Sequence, residues 1–211
     1  MWRLELKKGE VRRVDEPVIR LPRGYVGVKV KAFLIDDFTH WALKKGEGSF
    51  SRWAMGVVVA GGEVGRYVVA YAENAAAQYI ATDRFVYIEG NSPSFLETAA
   101  VAYVVEALNH LPSMKELSIA GDDPRRRAVE QLAKIGRSRL GVALEGAVVR
   151  RGRYVAISRL VEVVDNASVR YIDVPSRWAL KKATEIKTRL GLPTCTIDDF
   201  SLDRWGVVVV E

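Results

Sequence analysis

Cysteine and histidine are almost absent from this sequence. Its 211 residues include one cysteine, Cys195, and two histidines, His40 and His110. A single thiol excludes an intrachain disulfide, and so few sulfur and imidazole groups exclude the zinc sites that these side chains usually build. Cys195 has no histidine near it in the sequence, so we interpret it as a structural or buried thiol rather than a nucleophile.

Long apolar runs and glutamine are also scarce. The longest apolar stretches are far shorter than the ~20 residues of a membrane span, and the N-terminus lacks an apolar segment of signal-peptide length. We therefore expect a soluble, cytoplasmic protein with no membrane partner. Only Gln78 and Gln131 occur, and this avoidance of thermolabile amides is typical of a heat-adapted protein.

Positive charge is concentrated in one segment. Residues 124–159 contain ten Lys or Arg and two acidic residues, which gives this segment a charge of +8 in a chain of net charge +6. Such a cluster attracts phosphates, nucleic acid or an acidic partner, and it is also typical of a solvated surface. Polyanion or nucleic-acid binding is therefore one hypothesis, although no stacking platform or recognition helix accompanies these arginines.

The first part of the chain has the pattern of a β-rich domain. VGVKVKAFLI (26–35) alternates and then becomes apolar, as a strand that enters a core does. Shorter candidate strands follow at close spacing: 55–61, 66–72, 77–82 and 85–89. Short strands separated by glycine turns such as Gly61-Gly62 predict a barrel-like antiparallel domain.

A helix and a proline mark the predicted domain boundary. Pro93 suits a helix start, and Ser94 with Glu97 fits a capping box. The apolar pattern continues to Leu111, and Pro112 ends it. We therefore predict one domain over residues 1–111 and a second over residues 112–211.

The second domain alternates strands with helices. Helices are predicted from Asp123 to Gly136 and from Ser176 to Gly191, because each segment has an N-cap, an apolar stripe and a closing glycine. Candidate strands lie at 115–121, 141–145, 153–158 and 168–174, and the chain closes on WGVVVV. This alternation favours a parallel α/β sheet.

Several stretches together resemble the medium-chain dehydrogenase/reductase superfamily, which includes zinc alcohol dehydrogenases and zinc-free quinone reductases. The stretches that carry the resemblance are VGVKVKAFLIDDFTH, SRWAMGVVVAGGEVGRYVV, the segment from AAAQYIATDRF to AAVAYVVEAL, VVRRGRYVAIS and VRYIDVPSRWALKKATEI. It covers residues 24–111 well and the second half in patches. It implies a mixed α/β fold, with a GroES-like β-barrel domain followed by a shortened Rossmann-like parallel α/β domain.

The resemblance also locates the family's metal ligands, and this chain departs from them. The first ligand, usually a cysteine, falls near Asp36, and the Gly-His-Glu motif falls on Ser51, Arg52 and Trp53. Arginine and indole do not ligate zinc. Asp36 and His40 alone are too few for a metal site. We therefore predict no metal and no catalytic residues, and we place Asp36, His40 and Arg52 in an interdomain cleft.

The nucleotide site is reduced in the same way. Zinc-free members of the family bind NADPH on a glycine-rich turn, and the candidate here, IAGDDPRRRAVEQL, has one glycine, Gly121. Carboxylates at Asp122 and Asp123 would repel a pyrophosphate. In a second register, Asp122 is a relic of a ribose site, and Arg125 and Arg126 belong to a relic of a phosphate site. Both registers predict no bound cofactor, with NADP as the alternative.

These observations leave three hypotheses for function. The first is a non-catalytic remnant of a dehydrogenase that acts as a binding or assembly module. The second is a zinc-independent NAD(P)H reductase of the quinone reductase type, and the third is polyanion binding through residues 124–159.

For the first hypothesis we expect a homodimer that associates through the edge strand SVRYIDV (168–174). Arg52 would favour a small anionic ligand in an open cleft, or an internal ion pair, for example with Asp36, in a closed one.

Overall fold

The chain divides into two compact units of mixed α/β structure. The computed structural model describes residues 1–18, 20–109, 123–136, 147–150, 153–156, 168–186 and 188–210. One unit comprises Met1–Leu96 with Leu192–Glu211, and the other comprises Glu97–Gly191. This division differs from the predicted boundary at Pro112 in two respects, since the second unit already begins at Glu97 and the segment Leu192–Glu211 belongs to the first unit.

The first unit is built mainly from strands. Its described strands are β1 (Trp2–Lys7), β2 (Glu10–Asp15), β3 (Val26–Ile35), β4 (Glu47–Ser49), β5 (Trp53–Ala60), β6 (Tyr67–Tyr71), β7 (Tyr79–Thr82), β8 (Phe85–Tyr87), β12 (Thr194–Thr196) and β13 (Gly206–Val209). Its helix α1 spans Asp37–Lys45, and a 3-10 turn covers Pro93–Leu96. The sequence patterns predicted β3 and β5 to β8 closely, but not β1, β2, β4, β12 or α1.

Two sheets surround the core of the first unit. Seven strands follow the order β12-β13-β3-β5-β6-β8, with β7 paired to β3, and a three-stranded sheet has the order β2-β1-β4. β3 is central because its first half pairs with β7 and its last four residues pair with β13. Leu4 of β1 is buried with Val28, Phe33 and Val208 in one hydrophobic cluster, so the two sheets share a core.

Glycines allow backbones to approach closely in this unit. A Cβ at Gly56 in β5 would lie 2.2 Å from the carbonyl oxygen of Lys29, a distance that no side chain tolerates. Gly61 has φ of +76°, and a Cβ there would lie 2.2 Å from the carbonyl oxygen of Tyr25. Both positions therefore require glycine, which explains why the valine-rich stretch is interrupted there.

The second unit combines helices with a small sheet. Its described elements are α2 (Glu97–Asn109), α3 (Arg125–Gly136), β9 (Ala147–Arg150), β10 (Arg153–Ala156), β11 (Ser168–Tyr171) and α4 (Arg177–Ile186). β10 pairs in parallel with β11, as predicted, and antiparallel with β9. The predicted strands 115–121 and 141–145 lie outside the described residues.

Helix caps in the second unit follow the sequence signals. Asp123 Oδ1 accepts a hydrogen bond from the backbone N–H of Arg125 at 2.9 Å, and Ser176 Oγ accepts one from Ala179 N at 3.2 Å. The helix predicted from Pro93 differs in detail, since Pro93–Leu96 form the 3-10 turn and α2 begins at Glu97. In the described part of the chain, none of the helices has the length and apolar character to cross a bilayer.

Candidate functional site

The residue at the first metal-ligand position caps a helix. Asp36 follows β3, is buried, and accepts a hydrogen bond on Oδ1 from the backbone N–H of Thr39 at 3.1 Å. Thr39 completes the capping box by accepting from the N–H of Asp36, and its hydroxyl donates to the carbonyl of Phe50 at 2.8 Å. The carboxylate of Asp36 therefore stabilises the start of α1.

The Gly-His-Glu positions carry buried structural side chains. Ser51 donates from its hydroxyl to the carbonyl of Leu34 at 2.7 Å. Trp53 is 1% exposed and packs edge-to-face on Tyr71, with ring centroids 5.4 Å apart. Neither side chain presents an atom that zinc prefers, so these two positions serve the core of the first unit.

Arg52 lies between these two positions and stacks on aromatic rings. Its guanidinium carbon is 3.7 Å from the ring centroid of Phe38 on α1 and 5.9 Å from that of Tyr71 on β6. The residue is 8% exposed, so the stacked cation is largely removed from water. A buried cation–π stack of this kind stabilises the contact between α1 and the sheet and occupies the metal-ligand position with a fixed positive charge.

His40 lies one helical turn after Asp36 on α1. It is half-buried, and its Nε2 atom has no hydrogen-bond partner among the described residues. Burial lowers the pKa of His40 from its ordinary value, against upward pulls from the carboxylate of Asp37 and the backbone of Arg204. The imidazole is therefore held in its neutral form near neutral pH.

Asp36, His40 and Arg52 do not assemble a metal centre in the described region. Nowhere in that region do three or more His, Cys, Asp or Glu side chains converge as metal ligands. The predicted cleft role of these three residues stays a prediction.

Only part of the predicted nucleotide site belongs to the described residues, because Gly121 and Asp122 lie outside them. Arg125 is buried, and its guanidinium donates to the carboxylate of Asp123 at 2.5 to 3.0 Å. Arg126 is exposed and pairs with Glu130 at 3.3 Å. The relic phosphate site stays a prediction, and in this structure its two described arginines both bind carboxylates of their own chain.

Cys195 lies on β12 and has the properties of a structural thiol. It is half-buried, and its Sγ lies 3.7 Å from the carbonyl of Val207 on β13. Burial raises the pKa of this thiol above its ordinary value, which keeps it protonated and unreactive at neutral pH.

Two buried carboxylates on α2 bind groups that the sequence patterns did not predict, although Glu97 was expected in a capping box with Ser94. Glu97 accepts from the backbone N–H of Leu190 at 2.7 Å, and Glu106 accepts from the N–H and hydroxyl of Ser176 at 3.1 and 2.5 Å. The sequence does contain a signal for such roles, namely a carboxylate within a nearly continuous apolar helix. A carboxylate buried in this way needs hydrogen-bond donors from other parts of the protein.

An acidic cavity of about 670 Å³ lies elsewhere in the first unit. Its charged lining residues are Arg3, Glu5, Lys7, Glu16, Glu47 and Glu73. Arg3 forms ion pairs with Glu5 and Glu16. None of Asp36, His40 and Arg52 lines this cavity, and the sequence analysis did not predict it.

Comparison by sequence found no relative. No protein-family model matches the chain. No curated protein matches it either.

Comparison by structure found dehydrogenases and reductases. The quinone oxidoreductase from Thermus thermophilus, whose structures include a complex with NADPH, matches with a TM-score of 0.66 and 15% identity over 100% of both chains. Haloferax mediterranei glucose dehydrogenase, in complex with NADP, Zn and gluconolactone, matches with a TM-score of 0.65 and 11% identity over 100% of this chain and 99% of that one.

A third match covers only part of each chain. The human synaptic vesicle membrane protein VAT-1 homolog-like protein matches with a TM-score of 0.54 and 18% identity over 64% of this chain, which spans 52% of that one.

At these identities the likeness establishes the fold. The chain has the mixed α/β fold of the medium-chain dehydrogenase/reductase proteins, with a GroES-like and a Rossmann-like part, as the sequence predicted.

Proposed function

We propose that this protein has kept the medium-chain dehydrogenase/reductase fold without its zinc chemistry and acts as a binding or assembly module. The observation that carries the proposal is Arg52, which stacks 3.7 Å from the centroid of Phe38 at the position where the resemblance places a metal-binding histidine. A guanidinium keeps its proton at neutral pH. It therefore cannot bind a metal cation, and it cannot transfer a proton to or from a substrate.

Zinc does not fit the residues at this position. Asp36 is engaged in a helix cap, Ser51 donates its hydroxyl to a carbonyl, and Arg52 would place a positive charge beside the metal ion. Each ligand would have to abandon a buried contact before it could coordinate, and the buried cation would repel the metal. Therefore we assign no step to a metal.

A bound dinucleotide finds little support in the described nucleotide-side residues. The guanidinium of Arg125 is enclosed against Asp123, and that of Arg126 lies on Glu130. A phosphate would have to compete with carboxylates for both cations. For this reason we favour a module that does not bind NADP.

The second candidate is a zinc-independent NAD(P)H reductase. It is favoured by the likeness to the Thermus thermophilus quinone oxidoreductase, whose structures include an NADPH complex.

Titration with NADPH separates the two candidates. The protein is incubated with zinc, dialysed, assayed for metal content, and then titrated with NADPH by fluorescence and thermal shift. We expect no stoichiometric zinc and no shift at millimolar NADPH, whereas a ligand at 100 times its Kd would stabilise the fold by about 2.7 kcal/mol. The Thermus thermophilus enzyme is the positive control for NADPH. Saturable binding at micromolar concentration would favour the reductase instead.

The assembly role brings two further expectations into the proposal. β11 pairs with β10 on one side and is the edge of the described three-stranded sheet, which supports a homodimer through this strand. Sedimentation of the purified protein tests the dimer.

Arg52 and the exposed Arg84 both lie within 6 Å of the Tyr71 ring, at 5.9 and 5.6 Å, which suits a small anionic ligand beside Tyr71.

A further inference from the structure

Three of the arginines that suggested polyanion binding are engaged by groups of the second unit. Arg125 binds Asp123, Arg126 binds Glu130, and Arg127 donates to the carbonyl of Leu190 at 2.5 Å. These are the described arginines at the start of the basic segment 124–159. Local carboxylate and carbonyl acceptors engage these three arginines, so other exposed cations of the second unit are better candidates for contact with a polyanion.

Helix α4 has one face in the core and one in solvent. Ala179, Leu180 and Ala183 are buried, and α2 packs against α4. On the opposite face Trp178 is 49% exposed, and Lys181 and Lys182 are exposed beside it. These three residues stand at positions i, i+3 and i+4, so their side chains are neighbours on the helix surface.

The exposed face of α4 combines an aromatic ring with positive charge. Trp178 is the one exposed aromatic side chain within the part of the chain whose burial the structure describes. The sequence from Arg177 to Arg189 holds five Lys or Arg and one Glu. Lys182 pairs with Glu185 at 2.7 Å, but both side chains are about half exposed, and a surface pair of this kind exchanges readily with another anion.

The face is also held in a fixed position. The N-terminus of α4 is anchored by Ser176, whose backbone N–H and hydroxyl both donate to Glu106 on α2. A ligand that stacks on Trp178 would therefore meet a preorganised helix, and little ordering entropy would oppose binding.

We propose that this face of α4 binds single-stranded nucleic acid, with a base stacked on Trp178 and the backbone phosphates held by Lys181 and Lys182. An aromatic ring flanked by cations is the arrangement that single-strand binding proteins use. A membrane surface fits less well, because the apolar stripe that would enter a bilayer is buried against α2. The proposal does not rest on the proposed function, since a zinc-independent reductase would present the same helix face.

Binding to labelled oligonucleotides tests the proposal. Fluorescence anisotropy of the whole chain with a short oligothymidine and a short oligouridine should show saturable binding at low salt. Affinity should fall steadily between about 50 and 200 mM salt, with a slope of about −0.7 for each phosphate contacted. Trp178→Ala should weaken binding about tenfold, while Trp178→Phe should retain most of it because a phenyl ring still stacks.

Charge variants complete the test. Lys181→Gln should weaken binding and reduce the salt slope by about 0.7. Lys44→Gln is the matched control, because Lys44 is an exposed lysine in the last turn of α1 in the other unit, and it should leave affinity unchanged.

Four results would overturn the proposal. They are no binding at low salt, equal affinity of Trp178→Ala and the unmodified chain, equal losses from Lys181→Gln and Lys44→Gln, and tighter binding to anionic phosphatidylserine vesicles than to either oligonucleotide. The comparison of the two oligonucleotides then assigns the preference between DNA and RNA.

Discussion

At the scale of a single residue, the buried and stacked Arg52 determines the charge and the packing of the region around α1. Its guanidinium stacks on Phe38 and lies near Tyr71, so it connects helix α1 with strand β6. Ser51, its neighbour in sequence, and Asp36 at the start of α1 are likewise engaged in hydrogen bonds to the chain itself. Side chains engaged in this way are expected to contribute to the free energy of unfolding, whether or not an anion binds beside Tyr71.

Replacing Arg52 tests its structural role. Arg52→Ala should lower the free energy of unfolding by about 2 kcal/mol, because the stacked stem and cation leave a gap between Phe38 and Tyr71. Denaturant unfolding at neutral pH measures the change. Arg84→Ala removes an exposed cation at 5.6 Å from the same Tyr71 ring and should cost about 0.5 kcal/mol or less. If the two variants lost the same stability, Arg52 would be an ordinary surface arginine.

At the scale of elements, α2 is the helix that joins the parts of the second unit. Its Glu97 binds the backbone of Leu190, and its Glu106 binds both donors of Ser176. Tyr103 between them donates its hydroxyl to the carbonyl of Asp173 at 3.2 Å. Polar side chains of one apolar helix therefore fix the start of α4, the segment that leads into it and the segment that follows it at Leu190.

Removing the Glu106 carboxylate tests this arrangement. Glu106→Ala leaves two donors at the start of α4 without their acceptor and should cost about 2 kcal/mol of stability, while Glu106→Gln should cost less. Glu130→Ala is the control, because Glu130 pairs with Arg126 on the surface and should contribute about 0.5 kcal/mol. Urea midpoints provide the comparison. Equal midpoints for the alanine variants of Glu106 and Glu130 would contradict the proposed anchoring of α4.

At the scale of the whole molecule, the end of the chain returns to the unit in which it began. Val207 and Val208 are buried, and β13 pairs with β3 from Gly206↔Ile35 to Val209↔Ala32. A fragment that lacks this strand exposes one side of β3, together with the apolar surface that β13 covers. The first unit therefore needs residues that are distant in sequence.

Two fragments of the chain test where the first folding unit ends. Residues 1–111 alone should aggregate or fail to unfold cooperatively, because β12 and β13 are missing. Residues 1–96 joined by a flexible linker to residues 192–211 should give a soluble fragment with a cooperative thermal transition. Circular dichroism melting distinguishes the two. Cooperative unfolding of residues 1–111 would support the boundary at Pro112 instead.

The sequence by itself predicted several of the elements and the fold class. Alternation and glycine turns located β3 and β5 to β8, and caps located α3 and α4, because these signals arise from neighbouring residues. The substitutions at Ser51, Arg52 and Trp53 were also readable, since ligand chemistry depends on residue type. The short strands β4 and β12 carried no such signal, whereas α1 has a capping box at Asp36 and a closing Gly46 from which it was not predicted.

Only the tertiary structure decided which side chains meet. Glu106 and Ser176 are 70 residues apart, and Glu97 and Leu190 are 93 apart, so no local pattern reports either hydrogen bond. The arginines near residue 125 show the same limit of sequence-based prediction. The sequence shows how many arginines there are, but their carboxylate and carbonyl partners are known only from the folded structure. Charge is a property of composition, but the charge that remains available to a ligand depends on burial and pairing.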